Sequence, residues 1–236
     1  RYNCSFCSVI RINGRGMRHM SPGRGVEELR TITRIRPSLP GPTPVFLHDD
    51  DLMSDPAYTE ALLEEIVRSK LKLAIVCQTS IGIARDDKLL DLAQRAGFFS
   101  MFVGLESIER EASDRGVAHG DFATEIGVEI NKKNRPREYK ELIARLHKRG
   151  IGITAGIIFG LDNDDAGIFD RTIDALDDIE VDNAHMALLT PLPGTETFAQ
   201  FYDEGRIIDL DWGKFDLKHA VIEPAGLSSE PLQAGI

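Results

Sequence analysis

The sequence predicts an α/β fold: a partial barrel of repeated strand–helix units around a parallel sheet. Three observations predict it. Apolar strand-like runs and amphipathic helix-like runs alternate five times at a steady spacing. The strand-like runs are apolar on both faces, as in a sheet covered by helices. Short polar clusters follow the strands at corresponding places: Asp49–Asp51, Thr79–Ser80, Glu106–Ser107, Asp162–Asp165 and Thr190. In barrels of βα units, ligands collect at these strand ends.

The elements follow in order. Ser21-Pro22, leading into Val26–Ile32, reads as a helix start, with serine as cap and proline early. Pro37 to Pro44 is a turn rich in proline and glycine. Val45–His48 is a short strand ended by three aspartates. Asp55-Pro56 opens a helix whose apolar residues Leu62, Leu63, Ile66 and Val67 recur helically. Leu71–Val76 is the next strand, and Arg85–Ala96 the next helix, stopped by Gly97. Phe98–Leu105 is a strand, and residues 113–129 follow no period. Pro136–Arg149 is a helix stopped by Gly150, and Ile151–Phe159 a strand. Ile168–Leu176 is a helix and Asn183–Leu189 the last strand.

The chain has 236 residues and three cysteines, enough for one sizeable core and too few thiols for a disulfide scaffold. Cysteine usage suits a reducing compartment, and no apolar run is long enough to span a bilayer; a cytoplasmic setting is the expectation. The net charge of −10 argues against a general nucleic-acid binder. The charge is uneven. Residues 1–36 hold eight arginines against Glu27 and Glu28, a local +6 that leaves −16 for the rest. Guanidinium groups beside the cysteines favour thiolates or hold an anion, or else form a solvated basic surface.

The first seven residues carry the chemistry. Cys4 and Cys7 are two residues apart with Phe6 between them. Such a pair is half a zinc site, a dithiol redox pair or part of an iron–sulfur ligand set. A zinc ribbon needs a second pair, whereas Cys77 is alone and reads as a buried small apolar residue. A thioredoxin-type motif opens a helix, whereas Ser8–Gly16 reads as a loop. A domain that starts on its metal ligands lacks the element that holds them. The chain therefore reads as part of a longer protein, cut just inside a metal site; counting a strand lost before the cysteines, the units number six.

The Cys4-x-aromatic-Cys7 run resembles the end of the C-x-x-x-C-x-aromatic-C motif of the radical S-adenosylmethionine (SAM) superfamily. Four more stretches resemble the members of that superfamily whose full proteins carry an N-terminal cobalamin-binding domain. They are Val45–Leu52, Phe102–Ser107, Ile157–Asp164 and Leu189–Thr195, and Glu204–Asp216 fits the close of the same domain. The resemblance covers most of residues 1–227 and implies a six-stranded partial barrel. Residues 1–195 would form the barrel and 196–236 a closing extension, with a cobalamin-binding domain upstream.

The resemblance also implies cofactors and roles. Three cysteines would hold a [4Fe–4S] cluster and leave one iron open to SAM, with Cys4 and Cys7 as two of the three ligands. Reductive cleavage of SAM yields a 5′-deoxyadenosyl radical, and cobalamin-dependent methyl transfer is one reaction served by it. Asp50, with Asp49 or Asp51 as substitutes, would pair with the SAM ammonium; caps for the following helix are the competing role. Glu106 would bond the ribose or methionyl part, or form an ion pair. Thr79 and Ser80 would serve the same ligand, or cap a loop. Gly156 would admit the adenosine or ease packing. Phe6 would set backbone beside adenine, or fill core. The implied partners are a small-molecule or lipid-like substrate and an external electron donor such as ferredoxin or flavodoxin. A methylthiotransferase-like tRNA modifier and a non-catalytic metal-binding scaffold are the competing functions. The acidic balance disfavours the first.

Overall fold

The computed structural model describes residues 4–35, 40–107 and 136–236. The aperiodic segment 113–129 lies outside them. Five strands form one sheet in sequential order: β1 (Thr43–Leu47), β2 (Leu73–Thr79), β3 (Phe98–Glu106), β4 (Gly152–Phe159) and β5 (Asn183–Leu188). Every neighbouring pair is parallel. The sheet curls into a half-barrel of α/β type, as the alternation of elements predicts.

The helices are α1 (Val9–Asn13), α2 (Pro22–Ile35), α3 (Pro56–Ser69), α4 (Asp87–Ala96), α5 (Pro136–His147), α6 (Ile168–Asp178), α7 (Glu196–Asp203) and α8 (Ser229–Ala234). Their starts follow capping chemistry. Asp55 accepts the Tyr58 N–H at 3.1 Å with Pro56 in the first turn of α3, and Asp86 accepts the Leu89 N–H at 3.0 Å to open α4. Two expectations need correcting. Ser8–Gly16 is not all loop, because Val9–Asn13 closes one helical turn that ends at Gly14 with φ of 75°. The helix expected from Arg85 starts at Asp87, because Ile81–Arg85 is a 3₁₀ turn and Asp86 is the true cap.

Packing follows a strict period of two in β2, and that period is interrupted in β3, β4 and β5. In β2, Leu73, Ile75, Cys77 and Thr79 are buried while Ala74, Val76 and Gln78 are half-buried. Leu63 and Ile66 from α3, Leu89, Leu90 and Ala93 from α4 and Ile143 and Leu146 from α5 join the buried strand residues in one core. Each fully buried leucine or isoleucine contributes about 1.5–3 kcal/mol. Gly97 shows how tightly α4 meets the sheet. It has φ of 97°, and a Cβ there would lie 2.2 Å from the Leu73 carbonyl oxygen. No other residue fits.

The segment after β5 belongs to the same body. Leu227 and Leu232 lie in the main core. The Leu188 N–H donates to the Leu217 carbonyl at 2.8 Å, so this segment occupies backbone on the outer strand β5. A second apolar cluster, Leu161, Leu189, Phe201, Val221 and Ile222, sits where β4 and β5 end, and Phe6 packs against it. No helix among the described residues is long and apolar enough to cross a membrane.

Candidate functional site

The strand residues alternating with the main core line the concave face: Phe46, Val76, Gln78, Phe102, Gly104, Thr154, Gly156 and His185. Register places Gln78 beside Phe102, Gly104 beside Gly156, and Gly156 beside His185. Phe102 and His185 meet edge to face, with centroids 6.0 Å apart, although β4 lies between their strands. Gly156 makes this possible, since a Cβ there would meet the Phe102 ring at 3.1 Å. The Phe102–His185 contact is not visible in the sequence, because it depends on register across three strands.

At the C-terminal end of β1, Asp49 and Asp50 are exposed. Asp51 differs. One of its carboxylate oxygens accepts the Met53 N–H and, across the sheet edge, the Ser80 N–H, each at 2.9 Å. Its other oxygen is buried without a partner among the described residues. Asp51 therefore ties the end of β1 to the end of β2. Cys77 is fully buried, and its thiol is pushed up to about 12, first by burial and then by the charges of Asp49 and Asp51. It is an inert core thiol, as the sequence suggested. Thr79 is buried in the parity that faces the helices, and its hydroxyl lies 3.4 Å from the Ser80 carbonyl. Ser80 starts the 3₁₀ turn with no side-chain cap bond.

Glu106 ends β3 in the left-handed region, with φ of 64°. The β3–β4 register shifts between Gly104 and Glu106, which is a bulge. The Glu106 carboxyl folds back over Gly104: a Cβ on residue 104 would sit 2.4 Å from its Oε1. Burial raises its pKa to about 7. Tyr139 of α5, fully buried, has no partner for its hydroxyl among the described residues. Burial, and then the Glu106 charge, raise the Tyr139 pKa, which places the two groups within electrostatic reach.

The cysteine turn is closed by the Cys7 N–H donating to the Cys4 carbonyl at 3.1 Å. Both side chains belong to half-buried residues, and all three cysteines are thiols. Thr195 caps α7 by accepting the Phe198 N–H at 3.1 Å. The next free amide of that helix, Thr197 N–H, donates to the Ser5 carbonyl at 3.2 Å. Arg11 pairs with Glu196 at 3.2 Å. With Phe6 in the second apolar cluster, the turn is seated at the C-terminal end of β5. That is the same edge of the sheet as Asp49, Asp50 and Glu106.

The β4 loop is structural. The buried Asp164 carboxylate accepts the Gly160 and Leu161 N–H groups at 2.8 and 2.9 Å. Asp162 takes two guanidinium N–H groups of Arg206 and the Ala225 N–H at 3.1 Å. Arg206 also donates to the Glu223 carbonyl at 3.0 Å and lies 4.0 Å over the Phe201 ring. Thr190 donates to the Leu188 carbonyl at 3.1 Å. Among the described residues no group of three or more His, Cys, Asp or Glu side chains could hold a metal ion. Cys4 and Cys7 fit as two soft thiolate ligands of an iron–sulfur cluster, with the donor set completed from elsewhere.

A curled parallel half-barrel with a cysteine pair at its C-terminal edge defines a class. Residues 1–176 match the radical SAM superfamily, and the chain belongs to it. Members of this superfamily use a [4Fe–4S] cluster and SAM. Among curated relatives, the chain is 29% identical over 236 residues to bacteriochlorophyllide d C-12(1)-methyltransferase of Chlorobaculum tepidum, covering 97% of this chain and 46% of the relative. It is 25% identical over 216 residues to hopanoid C-2 methylase of Rhodopseudomonas palustris, covering 89% of this chain and 37% of the relative. The chain thus spans less than half the length of these relatives. The radical SAM methyltransferase TsrM of Kitasatospora setae, solved with cobalamin and a [4Fe–4S] cluster bound, superposes with a TM-score of 0.64 at 18% identity, over 86% of this chain and 37% of that one. That likeness concerns the fold.

Proposed function

We propose that this chain is the SAM-cleaving barrel of a cobalamin-associated methyltransferase that modifies carbon on a large, mostly apolar small molecule. The observation that carries the proposal is the shared edge. The Cys4–Cys7 turn, the exposed Asp49 and Asp50 and the half-buried Glu106 all lie at the C-terminal ends of the strands. The substrate class rests on the curated relatives, whose names give a bacteriochlorophyllide and a hopanoid.

In this reading Cys4 and Cys7 supply two of the thiolates that would hold the cluster. Asp50 or Asp49, both exposed at the end of β1, pairs with the ammonium of SAM. Glu106 offers a carboxyl held over bare backbone, able to donate or accept a hydrogen bond to a ribose hydroxyl near neutral pH. Phe102, His185 and Phe46 give the concave face apolar and aromatic surface for a flat or lipid-like substrate. The cluster with SAM supplies a 5′-deoxyadenosyl radical, and cobalamin from another part of the protein would carry the methyl group. An electron donor of the ferredoxin or flavodoxin type is required.

The test uses the full-length protein after anaerobic reconstitution with iron and sulfide. A [4Fe–4S] EPR signal that SAM perturbs is expected, with 5′-deoxyadenosine formed under reductant. Both should be lost in Cys4→Ser and Cys7→Ser. A folded full-length protein that takes up no cluster would leave the non-catalytic scaffold as the better reading.

A further inference from the structure

Two buried hydroxyls beside the cysteine turn lack partners among the described residues: Ser5 Oγ and Thr197 Oγ1. Ser5 lies between the two cysteines and is 7% exposed, and Thr197 is 1% exposed. The Thr197 N–H to Ser5 carbonyl bond of 3.2 Å makes the two residues neighbours in space. A buried hydroxyl with no partner costs about 1–3 kcal/mol, and two together are an expensive arrangement. Neighbouring hydroxyls show the usual solution. Thr195 Oγ1 donates to the Leu192 carbonyl at 2.6 Å and Thr190 Oγ1 to the Leu188 carbonyl at 3.1 Å.

We propose that Ser5 and Thr197 are hydrogen-bond donors to the sulfur atoms of the cluster that Cys4 and Cys7 help to hold. The inference rests on the cluster-binding reading above. Cluster and thiolate sulfurs are acceptors rich in negative charge, and hydrogen bonds to them are one of the terms that set a cluster's potential. A donor stabilises the reduced, more negative cluster more than the oxidised one. The pair would therefore raise the midpoint potential toward the range of a one-electron protein donor. Thr197 comes from the segment after β5, so the potential would be set in part by residues nearly two hundred positions from the cysteines.

The experiment compares the full-length wild type with Ser5→Ala, Thr197→Val, the double variant and Thr197→Ser. Each is reconstituted anaerobically and titrated with reductant while the reduced cluster is followed by EPR; apo thermal unfolding is measured in parallel. Losing both donors should lower the reduced-to-oxidised ratio at a fixed potential about tenfold, which is about 59 mV for a one-electron couple. Thr197→Ser should restore the wild-type value in the single-site comparison. The apo variants should melt at or above the wild-type temperature, because an apolar replacement of an unpartnered hydroxyl removes a cost. If the wild type loads a cluster but the double variant keeps its potential and line shape, this inference falls alone. Lower apo melting temperatures with an unchanged potential would likewise assign the hydroxyls a structural role. If the wild type binds no cluster, the functional reading falls and takes this one with it.

Discussion

Glu106 should make the fold less stable as the pH rises from mildly acidic to alkaline, and Glu106→Gln should abolish that trend. The cause is burial, which raises its pKa from the ordinary 4.5 to about 7 in the native state. Below 4.5 the carboxyl is protonated whether the chain is folded or not, and it has no effect on the balance. Between 4.5 and 7 the unfolded chain loses the proton while the native state keeps it, so the native state binds more protons and stability falls with rising pH. Above 7 both forms are ionised and the penalty is complete. Its upper bound is about 3 kcal/mol, and partial water contact at a half-buried residue trims it to about 2 kcal/mol. Glu106→Gln keeps the shape and the left-handed backbone but cannot ionise. Urea unfolding at pH 5 and pH 8 provides the comparison. The variant should gain most of that 2 kcal/mol at pH 8 and only a small part at pH 5. Equal effects of the substitution at both pH values would refute the argument, because backbone strain or packing does not titrate.

Other substitutions probe the frame around the site. Gly156→Val should force Phe102 off β4 and lower stability by about 1–3 kcal/mol, measured by thermal unfolding; the Phe102–His185 ring contact should be lost with it. Arg206→Met leaves the Asp162 carboxylate without its main partner and should cost about 3 kcal/mol. The Asp162→Asn, Arg206→Met double variant should cost less than the sum of the singles in chemical denaturation. Asp164→Ala strands the Gly160 and Leu161 N–H groups and should cost about 2 kcal/mol or more, with Asp164→Asn intermediate by the same assay.

The sheet was legible because strands covered on both faces read as continuous apolar runs, and because Asp55 and Gly97 mark helix ends by local chemistry. The cysteine pair and the polar strand ends were legible for the same reason: they are short-range patterns. What stayed hidden depends on register and on long-range contact. The shift in pairing at Ile75 and Val76, and the bulge at Gly104 to Glu106, cannot be read from a period of two. Thr79 was expected at the strand end, whereas β2 runs on through it and its alternation puts Thr79 on the buried side. Asp51 looked interchangeable with Asp49 and Asp50, and only the Ser80 N–H singles it out. The Asp162–Arg206 clasp joins residues 44 positions apart, and the Ser5–Thr197 bond spans most of the chain. A one-turn helix such as Val9–Asn13 carries too few residues to show a period.

The seating of the cysteine turn has a consequence for biosynthesis. Translation delivers Cys4 and Cys7 before any of the strands β1 to β5, yet their dock includes Thr197, Phe201, Val221 and Ile222. Domains fold as their parts emerge from the ribosome. The strands β1 to β5 can therefore assemble before the cysteine turn is seated. Only when some two hundred further residues, through Ile222, have been made does the turn find this seat. Iron–sulfur assembly in the cell would then act on a finished barrel, and a ribosome stalled before residue 222 would release a chain whose sheet is formed but whose cysteines have no seat.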